Sequence, residues 1–110
     1  MTARIRLTAE VIELVARRFK ALAEPVRLAI LAELREGELN VGEIVERTGQ
    51  SQAGVSKHLR ILHDLGFVSR RREGVYVIYS LADADVFTLC DLMCGRIEKE
   101  TTARERLLGE

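Results

Sequence analysis

Cys90 and Cys94 stand four residues apart in a chain that holds no other cysteine. On a helix that spacing places both side chains on one face, with Cβ atoms about 5–6 Å apart. An unstrained disulfide needs about 3.5–4.5 Å, so a bond within the helix is disfavoured. Three roles remain open to the pair. Free cysteine is often plain buried packing. Two thiolates chelate a soft ion such as As(III), Cd(II) or Pb(II). The same sulfurs also suit reactive-sulfur or redox sensing.

A second constellation is polar and basic. Gln52, Ser56, Lys57 and Arg60 alternate with the apolar set Val55, Leu59, Leu62 and Leu65, and Arg70, Arg71 and Arg72 follow closely. Gln pairs bidentately with adenine, Lys and Arg with guanine or phosphate, and Ser with several partners. This set suits the reading of base edges and the gripping of phosphates. Gly54 lets backbone approach backbone, at a helix cost of about 1 kcal/mol that falls in a first turn. His58 and His63 are five apart and fall on different helix faces, so they make no metal-binding pair. His58 borders the apolar stripe and is read as a packing and hydrogen-bonding residue before a DNA contact. A Gly-rich phosphate loop and an activated nucleophile are both missing, which argues against an enzyme.

The elements that position these residues follow from periodicity. From Thr8, Val11, Leu14, Val15, Phe19 and Leu22 mark one helical face. Pro25 opens a second helix, which carries Leu28, Ile30, Leu31 and Leu34 and stops at Gly37. Asn40 and Glu43 have capping-box spacing, and a short third helix ends at Gly49. Ser51 caps a fourth helix, which Gly66 ends. The period then changes: Phe67–Arg72 and Val75–Leu81 read as two strands joined at Glu73-Gly74. From Asp83 the helical period returns, with Val86, Leu89, Cys90, Met93 and Ile97 on one stripe. The expected fold is mainly α with a small β-hairpin: four helices, a two-stranded wing and a long C-terminal helix. Its third and fourth helices make a helix-turn-helix, with Arg70, Arg71 and Arg72 carried to the wing tip.

The chain has 110 residues, 47% hydrophobic and 5% aromatic, and is expected to be a single domain over 1–110. Its formal net charge is zero, but charge is unevenly placed. Residues 1–23 and 50–80 each hold five basic and two acidic groups, while 24–49 and 81–110 are acidic. DNA meets the local field of one face, so a basic segment between acidic ones still serves as a footprint. Charges through the first thirty residues argue against a signal peptide or membrane span. With so few cysteines, the expected compartment is a reducing cytoplasm. The apolar stripes Val11, Leu14, Val15 and Val86, Leu89, Met93, Ile97 exceed what one small domain can bury, which points to a homodimer.

Three segments, FKALAEPVRLAIL at 19–31, ELNVGEIVERTGQSQAGVSKHLRILHDLGFV at 38–68 and RRREGVYVIYSL at 70–81, together resemble the ArsR/SmtB winged-helix repressors. The resemblance implies a dimer built from helices near 8–23 and 83–105, with two recognition helices in successive major grooves of operator DNA. It implies that Gln52, Ser56 and Lys57 contact DNA, and that Arg72 and Gly74 form the wing tip. Ser56 and His58 match the family's Ser-x-His-Leu signature. The family's arsenic and cadmium type has three cysteines where Asn40, Gly42 and Val45 stand here, so that thiolate site is absent. The zinc type draws histidines from the last helix, which has none here. The expected function is a sequence-specific repressor released by a thiol-reactive effector at Cys90 and Cys94, arsenite or another soft metal favoured. No obligatory cofactor is expected. The alternatives are redox or reactive-sulfur sensing at the same cysteines, and an autorepressor without effector. A winged helix that binds protein is the remaining one, and it would need an apolar or acidic recognition face.

Overall fold

A computed structural model describes residues 6–108, so the extreme ends of the expected 1–110 domain, Arg4 among them, lie outside the described residues. Helix α1 spans Ala9–Leu22, and the Thr8 hydroxyl accepts from the Val11 N–H at 3.2 Å. Pro25 opens α2, Pro25–Arg35, where its missing N–H has no intrahelical role to fill. Helix α3, Val41–Thr48, starts from a complete capping box: Asn40 Oδ1 accepts from the Glu43 N–H at 2.8 Å, and Glu43 Oε1 accepts from the Asn40 N–H at 2.9 Å. It stops at Gly49, whose φ of +71° lies in the left-handed region open to glycine. Ser51 then caps α4, Gln52–Asp64, its Oγ accepting from the Gly54 N–H at 3.0 Å.

The hairpin pairs β2, Val68–Glu73, with β3, Tyr76–Leu81, from Val68 opposite Leu81 to Glu73 opposite Tyr76. The turn is therefore Gly74-Val75, one residue beyond the expected Glu73-Gly74. A further strand, β1 at Leu39–Asn40, pairs with β3 on its other side. The expected two-stranded wing is present, and β1 extends it to a three-stranded sheet in the order β1-β3-β2. It ties the start of the helix-turn-helix directly to the wing. The last helix, α5, covers Asp85–Leu108, and Asp83 Oδ1 accepts from the Asp85 N–H before its first turn.

One core joins these elements. Ile30, Leu31 and Leu34 of α2 meet Ile44 of α3, Val55, Leu59 and Leu62 of α4, and Val68 and Tyr79 of the sheet. Val86 and Phe87 close it from the first turn of α5. Val86 therefore belongs to the subunit's own core, which corrects its placement on the dimer stripe: the helix docks by its root, so the earliest residues of the stripe face inward. Beyond Cys90 every described residue of α5 is exposed. Helix α1 packs on α2 and buries only Ala21 fully. Leu14, Val15 and Phe19 of α1 and Leu89, Met93 and Ile97 of α5 face solvent, as do Ile12 and Leu92, which the stripes did not include. Half-exposed residues of this size each forgo roughly 1 kcal/mol of burial.

Since Asn40 ends β1 and caps α3 with both halves of a capping box, Asn40→Ala is expected to lower the unfolding free energy by about 1 kcal/mol. Urea denaturation should show this as a lower midpoint with an unchanged slope.

Candidate nucleic-acid interface

Burial of Val55, Leu59 and Leu62 fixes the rotation of α4 about its axis. The opposite face presents Gln52, Ser56, Lys57 and Arg60, all exposed, as their spacing predicts. Gly54 is half-buried in the first turn, and a Cβ there would lie 3.0 Å from Ser51 Oγ. Its lack of a side chain thus has a local reason, room for the Ser51 cap.

His58 is held from the side. The Arg27 Nη1–H lies 3.1 Å from His58 Nδ1, while the Arg27 Nε–H donates to the Ala21 carbonyl at 2.6 Å. A guanidinium has no acceptor, so Nδ1 must accept and the ring proton belongs on Nε2. Arg27, in the first turn of α2, joins the end of α1 to the middle of α4 through one planar group, a role the sequence does not signal. His63 lies on another face, 3.9 Å from Asp64, consistent with the expectation that the histidines do not act together.

The three wing arginines part company. Arg70 and Arg72 stand opposite Tyr79 and Val77, on the face of the sheet shared with the core. Arg71 points to the other face, where Nη1 donates to Glu38 Oε2 at 2.6 Å and Nη2 to Glu73 Oε2 at 3.2 Å. The Glu38 bond, followed by that to Glu73, raises the Arg71 pKa further above its ordinary value. All three lie along β2, not at the tip. The tip is Gly74-Val75, with Gly74 at φ +63° and Val75 exposed. A groove of about 330 Å³ joins it to Gln52 at the start of α4. Two exposed helix-turn-helix and wing surfaces are thereby set side by side.

Cys90 is half-buried against the core and Cys94 is exposed, and both are free thiols. Beside them, the Arg35 guanidinium lies 4.5 Å from the centre of the Phe87 ring and 3.7 Å from Asp91, clamping the root of α5 to α2. Among the described residues no group of three or more His, Cys, Asp or Glu is placed to hold a metal ion within one subunit. Among them, too, no helix is long and apolar enough to cross a membrane.

Residues 24–70, from the α2 cap into β2, match the bacterial regulatory proteins of the arsR family. The homodimeric winged helix-turn-helix DNA-binding domain (fragment 1–100) of a Mycobacterium bovis protein superposes with a TM-score of 0.70 at 36% identity, covering 97% of this chain and 94% of that one. The chain belongs to the arsR family. Its fold is the family's winged helix-turn-helix. The NmtR transcriptional regulator of Mycobacterium tuberculosis is 46% identical over 77 residues, 70% of this chain and 64% of that protein. A Streptomyces lividans protein named as a "probable mercury resistance operon repressor" is 47% identical over 74 residues, 67% of this chain and 59% of its own length. The chain thus spans a little under two thirds of these relatives.

The pairing of Arg71 revises what charge counting suggests for an arsR-family wing. Removing Arg70 or Arg72 is expected to lower the log–log salt slope of duplex binding by about 0.9 each if each meets one phosphate. Arg71→Ala should change it by less than half of that, because Glu38 and Glu73 already offset its charge. Fluorescence anisotropy across a salt series measures all three.

Proposed function

We propose that the protein is a homodimeric repressor that binds operator DNA and is released by a soft, thiol-binding effector at Cys90 and Cys94. The observation that carries the reading is the exposed set Gln52, Ser56, Lys57 and Arg60 on a helix whose opposite face is fully buried. Its side chains match base edges and phosphates, and its rotation is fixed by the core. The solvent-facing stripes of α1 and α5 support a twofold assembly, in which half-sites lie about 34 Å apart. Relatives named as repressors, one of them for mercury resistance, support the regulatory role.

The cysteines lie where an effector gains leverage. Cys90 touches the core and Cys94 faces outward one turn on, at the point where α5 leaves the domain. An ion that draws the two sulfurs together reorients the distal helix and with it the spacing of the recognition helices. A twofold partner would bring four thiolates near the axis, which gives As(III) the third sulfur it requires. Linkage then demands that DNA weaken ion binding by the same factor, for couplings of about 1–3 kcal/mol.

Two outcomes are expected. Met93→Lys or Ile97→Lys should shift the protein to monomer in sedimentation and abolish operator binding together; a wild-type monomer at micromolar concentration refutes the assembly. Arsenite, cadmium, lead or mercuric ion should weaken DNA binding of the wild type about 5- to 150-fold, and leave a Cys90→Ser, Cys94→Ser double variant unmoved. A response only to peroxide or polysulfide would make the thiols redox sensors. No response to any of these would reduce them to packing.

A further inference from the structure

The wing tip differs in chemistry from the rest of the interface. Its two-residue loop takes positive φ at Gly74 alone, the first central position, which is the pattern of a type II′ turn. That turn thrusts Val75 and Tyr76 outward, 89% and 58% exposed. The flanking charges are only partly paired. Glu73 pairs with Arg71, which Glu38 shares, while Arg72 is outside the ion pairs of the described residues and stands on the other face of the strand. The groove leading from the tip to Gln52 is lined by Asn40, Gly42, Val77 and their neighbours, with no lysine or arginine.

An uncharged, apolar tip gains little from a phosphate. It fits the floor of a groove. The minor groove shows only acceptors at A·T and T·A pairs, whereas a G·C pair adds the guanine N2 amino donor. An aliphatic side chain laid on that donor removes its water and offers no acceptor in return, which is the costly arrangement for a polar group.

We propose that Val75 reads the minor groove by exclusion, selecting A·T over G·C pairs beneath the wing because it leaves the groove-facing N–H of guanine N2 without a partner. Tyr76, next along the chain, packs its ring against the sugar edge. Each wing thereby adds sequence preference outside the major-groove contacts of α4, without adding charge. This rests on the DNA-binding reading above.

The probe is a duplex that the intact protein selects from a randomised pool, with the pairs under the wing located by hydroxyl-radical footprinting. Those pairs are then made A·T, G·C or inosine·C. Inosine keeps guanine's major-groove edge but lacks the N2 amine. Wild type should bind the A·T and inosine·C duplexes within about twofold of each other and both about five- to tenfold more tightly than G·C. Val75→Asn, which supplies an acceptor at an exposed turn position, should cut that preference below about twofold and leave the salt slope unchanged. Inosine·C binding as weakly as G·C overturns the proposal, as does a preference that survives Val75→Asn. A pool that yields no duplex overturns the DNA-binding reading itself.

Discussion

The guanidinium of Arg27 donates to the Ala21 carbonyl at the end of α1 and to His58 Nδ1 in the middle of α4. Its own helix, α2, supplies Ile30, Leu31 and Leu34 to the core. The geometry therefore links the helix that carries an exposed apolar face to the helix that carries the exposed set Gln52, Ser56, Lys57 and Arg60. Charge-assisted hydrogen bonds of this kind are stronger than neutral ones and fixed in direction by the planar fork. Without such a tie α1 would rest mainly on α2, and its angle to α4 would be loosely set. Rotation of α4 is decided by its buried stripe; its relation to the rest of an assembly depends on Arg27.

Neutral overall charge and the candidate nucleic-acid surface are reconciled by the same architecture. Acidic residues are not merely diluted among basic ones but assigned to holding them. Glu38 and Glu73 fix Arg71, Glu33 lies 3.6 Å from Arg47, and Asp91 lies 3.7 Å from Arg35. Such exposed pairs contribute little stability. Their effect is to decide which cations are available. Lys57 and Arg60 on α4 and Arg70 and Arg72 on β2 stand outside these pairs among the described residues.

Much of this was legible from residue spacing because it is local. The α4 stripe, the Ser51 cap, the Asn40–Glu43 box and the Gly49 stop are each decided within a few residues. What was not legible depends on distant partners. Strand β1 is two residues long and offers no alternation; it exists because Leu39 finds Tyr79. Arg27 and His58 are separated by 31 positions, and Arg71 and Glu38 by 33. The turn shifted by one residue because glycine can serve either central position of a two-residue hairpin, and its neighbours do not say which. Periodicity placed Val86 correctly on the α5 stripe, but a stripe cannot tell its own core from a partner's surface. That depends on where the helix leaves the domain.

The departure of α5 from the domain after Cys90 has a consequence for how the chain acquires its structure. Short isolated helices in water are marginal, and this stretch includes Gly95 and two adjacent threonines, Thr101 and Thr102. In a free subunit its distal turns have no tertiary packing to hold them against fraying. In the proposed dimer their order is supplied by association, so helix content per chain is expected to rise with protein concentration. Folding of the segment and assembly become one mass-action equilibrium. A newly made chain at low abundance would carry a finished helix-turn-helix on an unfinished scaffold, and the proposed reading of paired half-sites would switch on cooperatively with its own accumulation.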